Sequence, residues 1–397
     1  MEKQKNSKNG LLKLTILSIS LMISAASAIS VTLPMIKNQF PDISAATVES
    51  LVTIPSFSMM IFILLSSLII KTIGRKKTVV LGLVLAFIGG VIPAFVTNFQ
   101  LIFLSRLILG AGTGIYNSLA ISLIGDHFEG ETQQKMLGYQ TAFSTLGTSF
   151  VTFLAGIIVS YSWHYSYLVY FFTLPVVVMV TLFLPQDKKE SVKEANVPKG
   201  KQTVNSLVIF SCVMMFLFFV LVMNIYTKTS TLIVDENYAN QGFLGTTLTI
   251  GSLIGAVGGF LYSHIKNLFK GFTPVLALCA VAIAYFLVPH AGNMTVLTII
   301  LTIGFLVVSL FIPYMYDILL PGAPENSSNL AVSLAMVSCN LGSFFSPYII
   351  QALGSLVGNT TSAFSFTIGG IIFAGMAVVF LLINVTKSKF MMVTTEK

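Results

Sequence analysis

Three charged side chains, Glu49, Arg106 and Asp317, stand inside long apolar stretches of this sequence. Charge held away from water is costly, so each is a functional candidate by default. A carboxyl in such a place can take up and release a proton, and a guanidinium there needs an acceptor. Glu49 and Arg106 fall at similar depth near the starts of their stretches. The reading is that they interact, directly or through water, and that protonating Glu49 releases Arg106. The alternative for Glu49 is a cap on the first turn of its helix, where a carboxylate suits the positive end. Asp317 lies at the far end of its stretch, where it is either simply solvated or part of the working site.

Nothing points to bond-making chemistry. There is no Gly-x-x-x-x-Gly-Lys-Ser/Thr loop for nucleotide phosphates and no His/Cys/Asp cluster with metal spacing, so no enzyme activity, metal or cofactor is expected. His127, His164, His264 and His290 fall in expected loops. Cys212, Cys279 and Cys339 sit far apart in separate apolar runs and read as small packing residues.

The elements that hold these residues follow from composition. Of 397 residues, 55% are hydrophobic and 9% charged, and the mean hydropathy is +0.89. A soluble domain carries about 25% charge, so a soluble enzyme, a disordered chain and a disulfide scaffold are all excluded. Apolar runs occupy 13–36, 46–70, 78–96, 101–125, 136–159, 167–184, 205–226, 243–263, 272–289, 294–318, 328–354 and 362–384. Each is long enough to cross a bilayer as a helix, which takes about 20 residues, and none alternates with the period of a barrel strand. With the N-terminus placed in the cytoplasm, nineteen of the 22 lysines and arginines fall on the cytoplasmic side. Lys37 and Lys228 fall outside, and Arg106 lies within a span. Trp163 is placed at the outer interface, an ordinary position for Trp. Ala26-Ser27-Ala28 also fits the end of a cleaved signal peptide, but the apolar run continues to Pro34.

The longest polar stretch, Gln186 to Thr203, divides the chain into a six-helix bundle (1–185), a cytoplasmic linker (186–203) and a second six-helix bundle with a short tail (204–397). Equal halves are the sequence signature of a repeat transporter. The expected fold is therefore an all-α polytopic membrane protein, twelve transmembrane helices in two six-helix pseudo-repeats. The expected place is the cell membrane, with both termini cytoplasmic.

Two motifs sharpen this reading. KTIGRKKTVVLGL (Lys71–Leu83) follows the second run, and FLSRLILGAGTGIYNSLA (Phe103–Ala120) lies in the fourth. Together with the six-plus-six plan they resemble the loop and helix 4 signatures of the major facilitator superfamily. The chain departs from the loop signature at Ser67 and at Lys71, where the family has Gly and a latch-forming Asp. The resemblance therefore leaves a gating loop of Lys71, Gly74 and Arg75, with Arg75 free to pair with Asp126. GGFLYSHIKNLFKG (Gly258–Gly271) is a weaker echo of the loop in the second half. In the fifth run, Val151-Thr152 and Ala155-Gly156 replace the Gly-Pro and Gly-Gly of the family's drug–proton antiporters.

The resemblance implies a solute path lined by helices 1, 4, 7 and 10. Its candidates are Tyr116, Asn117, Asn224, Tyr226, Tyr314 and Tyr316, with Gln140 from helix 5. For any one of them, helix packing is the plain alternative. So aromatic and uncharged a path suits an amphipathic solute better than a polyanion. The expectation is a monomeric secondary transporter in the bilayer, with no nucleic acid partner, moving small hydrophobic or amphipathic compounds outward against protons. The rival is uptake or export of one nutrient or metabolite. A non-transporting membrane receptor or enzyme is the rival of another class.

Overall fold

The computed structural model describes residues 2–186, 203–238, 242–324 and 326–395, without the side chains of 2–9, 134, 329 and 387–395. Linker residues 187–202, and with them most of the expected Gln186–Thr203 segment, lie outside the described residues. Among the described residues there is no strand. Among the described residues eleven stretches are long and apolar enough to span a membrane, and they divide into twelve successive elements: α1 (Gly10–Gln39), α2 (Ala45–Ile73), α3 (Arg75–Val91), α4 (Phe99–His127), α5 (Gly130–Ile158) and α6 (Trp163–Phe183). After the linker come α7 (Ser206–Asp235), α8 (Gly242–Phe269), α9 (Thr273–Leu287), α10 (Met294–Gly322), α11 (Ser328–Val357) and α12 (Ser362–Thr395). By length and apolarity alone, α8 and α9 form one 49-residue stretch, Gly242–His290. At about 1.5 Å per residue that is more than twice a bilayer. A short 3₁₀ turn at Lys270–Phe272, with Lys270 at φ 48°, divides it into two spans.

The chain forms two compact units. One holds Met1–Val197 with Gln241–Thr249, and the other holds Pro198–Asn240 with Ile250–Lys397. In the first, α4 packs along both α2 and α3; in the second, α7 packs along α11 and α9 along α12. Asparagine starts three of the spans in the same way. Asn98, Asn205 and Asn293 each accept, on the side-chain oxygen, the third following backbone N–H, which satisfies a donor the first turn cannot.

Two departures from regular helix bear on function. The first is α1. It is helical to Ser18, runs as 3₁₀ over Ile19–Met22 and Ala25–Thr32, and turns helical again at Leu33. Three residues per turn align carbonyls poorly with the donors ahead, so this segment carries acceptors for outside donors. The second is Pro55 inside α2. Proline has no N–H, so the carbonyl four residues back, Leu51, receives no helical bond.

Candidate functional site

Arg106 answers both departures. It is fully buried. Its Nε donates to Leu51 O at 2.9 Å, the carbonyl that Pro55 leaves open. Nη2 donates to Ala26 O at 2.8 Å and Nη1 to Tyr170 Oη at 3.0 Å. Tyr170 passes its own hydrogen to Ala25 O at 2.9 Å. The rings of Tyr167 and Tyr170 flank the guanidinium, 5.8 and 5.5 Å from its carbon. One positive side chain thus binds the irregular part of α1, the proline turn of α2 and α6. The spacing to Gly110 has the same cause. A β-carbon on Gly110 would collide with the Pro55 backbone and with Ser58, so glycine lets α4 lie flush on α2 where Arg106 reaches across.

The direct partners of Arg106 do not include Glu49. Among the described residues no carboxylate is within ion-pair distance of Arg106, whose donors go to carbonyls and a phenol. Glu49 is itself buried, 4% exposed. It is not the helix cap, because Ser44 Oγ accepts the N–H of Thr47 and begins α2.

A second buried cation was misplaced by the hydropathy reading. The seventh run was taken to end at 226, leaving Lys228 in an outer loop. Instead α7 continues to Asp235, and Lys228 is 5% exposed within it. The segment NIYTKTS, Asn224–Ser230, is a polar insert in an apolar span. Thr227 and Ser230 bond back to their own helix. Asn224 Nδ2 donates to Ser365 O at 3.2 Å, while Asn224 Oδ1 and Thr229 Oγ1 are buried with no hydrogen-bond partner in the protein. The signal was available: a lysine between Thr227 and Thr229, with apolar residues resuming at Leu232.

The remaining candidates divide between the units. In the first, Tyr116 is fully buried with an unpartnered hydroxyl, and Asn117 and Gln140 are half-buried. In the second, Tyr226 meets the Phe305 ring edge-on at 5.9 Å and Tyr314 meets Phe380 at 6.1 Å. Tyr316 is half-buried.

The gating-loop residues form a turn. Gly74 adopts φ 81°, ends α2 and begins α3 in one residue, a conformation that only glycine takes without strain. Arg75 is ion-paired with Asp126 at the end of α4, both side chains half-buried. Both belong to the first unit, so this pair ties the α2–α3 turn to α4. Lys71 is exposed on the turn before it. The second unit has its own version. Asp317 on α10 accepts from Lys266 Nζ at 2.7 Å and from the Tyr262 hydroxyl, both on α8. Asp317 is thus exposed at the end of its span, as the solvated reading has it, and is also tethered there by residues of the weaker loop echo.

Trp163 and the histidines take definite places. Trp163 is buried and donates from Nε1 to Gln39 Oε1 at 2.8 Å, tying the start of α6 to the end of α1. His264 lies within α8, and His127 and His164 lie in the end turns of helices. No group of three or more metal-ligating side chains occurs among the described residues.

Irregular helix stitched by a buried cation, two tethered turns and a polar insert in a span describe a helical membrane carrier. The family model of the Major Facilitator Superfamily matches residues 15–347. The chain belongs to the Major Facilitator Superfamily and is a multi-pass membrane protein, a secondary transporter by family. An arabinose-proton symporter of Escherichia coli K12 is 27% identical over 119 residues, 30% of this chain and 25% of that one. An uncharacterized MFS-type transporter of Bacillus subtilis, YhcA, is 24% identical over 197 residues, 48% of this chain and 36% of that one. These matches span well under two thirds of either relative. Among solved structures, the inward-open xylose transporter XylE of E. coli superposes with TM-score 0.74 at 14% identity, covering 93% of this chain and 94% of that one. A POT family transporter gives 0.74 at 11% identity, covering 95% and 96%. At these identities the likeness is one of fold.

Proposed function

We propose that this protein is a proton-coupled transporter of a small amphipathic solute, working by alternating access in the cell membrane with both termini in the cytoplasm. Efflux is the favoured direction. The observation that carries the reading is the pairing of a few buried ionisable groups with aromatic, uncharged lining candidates. Glu49 and Lys228 are buried within spans. The lining candidates are Tyr116, Asn117 and Gln140 in the first unit and Asn224, Tyr226, Tyr314 and Tyr316 in the second, none of them charged. A carboxyl buried within a span is a candidate to take up and release a proton during the cycle. Glu49 is assigned that role, and Arg106 the role of holding α1 and α2 in the shape the cycle requires. The Arg75–Asp126 pair and the Asp317–Lys266 tether are assigned to the gating turns.

A second reading is proton symport of a small polar nutrient. It is favoured by the arabinose-proton symporter match and by the unpartnered Asn224 Oδ1 and Thr229 Oγ1, which could bond a solute hydroxyl. Purified protein in proteoliposomes under an imposed pH gradient, offered cationic dyes and a panel of sugars and metabolites, separates the two. Gradient-dependent dye movement supports efflux by antiport. A flat response to every dye with one polar metabolite moving along the proton gradient establishes the second reading instead.

A further inference from the structure

Two of the three cysteines, distant in sequence and read above as packing residues, come together in the second unit. Helices α7 and α11 pack so closely that a β-carbon on Gly342 would collide with Phe216 O. One turn on, Ser346 Oγ donates to Val220 O at 2.5 Å. Both contacts share one sequence offset, 126 residues, so the two helices run parallel in fixed register. Carried back one turn, the same offset sets Cys212 against Ser338, the neighbour of Cys339.

Rotation decides whether the thiols face each other. Four residues back from Phe216 turns Cys212 about 40° one way around α7, and three back from Gly342 turns Cys339 about 60° the other way around α11. On parallel helices in contact, rotations of opposite sense lead to the same flank. Ideal helices at this contact distance then place the two β-carbons within about 6 Å of each other. An independent observation agrees: Cys212 and Cys339 lie close enough to act on one another electrostatically, and both act on the phenol of Tyr316 on α10. Both thiols are half-buried, whereas Cys279 is exposed on α9.

We propose that Cys212 and Cys339 form a dithiol site for soft, thiophilic ligands such as trivalent arsenic, which clamps α7 to α11 beside Tyr316. A disulfide needs β-carbons about 3.5–4.5 Å apart. An atom bonded to both sulfurs spans a wider gap and fits the separation of about 6 Å that ideal helix geometry gives. With an aryl arsenoxide the reaction is a condensation. Two As–S bonds form, the As–O bond breaks, and the oxygen leaves as water with both thiol protons. Arsenic stays trivalent, so no oxidant or reductant is needed. The site is separate from the proposed proton and solute groups, apart from Tyr316 at its edge.

The test uses the full-length Cys279→Ser protein in detergent, treated with equimolar phenylarsine oxide, washed with excess glutathione and weighed intact by mass spectrometry. One phenylarsenic per chain is expected, removed by 2,3-dimercaptopropanol. Adding Cys212→Ser or Cys339→Ser should each abolish the wash-resistant adduct while the protein stays monodisperse on gel filtration. An absent adduct with both thiols intact, or one that survives in either single-thiol variant, overturns the proposal.

Discussion

The role of Arg106 turns on one carbonyl, and a double-mutant cycle isolates it. Arg106→Met removes donors from Leu51 O, Ala26 O and Tyr170 Oη together. At about 1–2 kcal/mol for each polar contact inside a membrane protein, the total cost is about 3–6 kcal/mol. Pro55→Ala changes one share of that sum. It restores an N–H at position 55, which bonds Leu51 O within α2 and competes with Arg106 Nε. Arg106→Met should therefore cost about 1–2 kcal/mol less in the Pro55→Ala background than alone, a coupling well outside additivity. Reversible unfolding in mixed dodecylmaltoside–SDS micelles, monitored by circular dichroism, measures all four proteins. If the two changes add within about 0.5 kcal/mol, the Leu51 carbonyl is not what Nε serves, and the account of the proline turn fails.

Three further outcomes follow from the same contacts. Gly110→Val should lower the melting temperature in detergent far more than Gly138→Val, since Gly110 faces the Pro55 backbone and Gly138 faces open space; equal shifts would contradict the close approach. Asp126→Asn should raise the cytoplasmic accessibility of single cysteines placed near Tyr116, and the exchange Arg75→Asp with Asp126→Arg should restore it. The half-exposed pair is worth only about 0–1 kcal/mol, so stability should barely move; unchanged accessibility counts against a gating role. Lys228→Met should reduce transport at least tenfold while Lys228→Arg retains part of it, measured as initial rates in proteoliposomes. Full activity of the Met variant would make the buried cation structural only.

The helical spans were legible because each needs a run of apolar residues that nothing else in the chain imitates, and the Gly74–Arg75 turn was legible because its residues are adjacent. Three features were not. The polar insert Asn224–Ser230 ends a hydropathy window, so Lys228 was assigned to a loop although the helix continues through it. The 3₁₀ segment of α1 leaves no mark in hydropathy: Ala25–Thr32 is as apolar as regular helix, and the break shows only in where its carbonyls find donors. The Cys212–Cys339 pairing and the partners of Arg106 depend on inter-helix register, which one helix's pattern does not contain. Pro55 was visible all along, and with it the open Leu51 carbonyl; what could not be read was that Arg106, 51 residues beyond it, lies alongside.

The central claim is that solute movement is driven by a proton gradient acting through Glu49. It is tested most directly by solute accumulation in proteoliposomes under an imposed pH gradient without ATP, for the wild type and Glu49→Gln. The account predicts accumulation by the wild type that collapses on adding a protonophore. It predicts no accumulation by Glu49→Gln, which should still exchange solute down its own gradient. Wild-type accumulation that survives the protonophore, or uphill transport by Glu49→Gln at the wild-type rate, would contradict it.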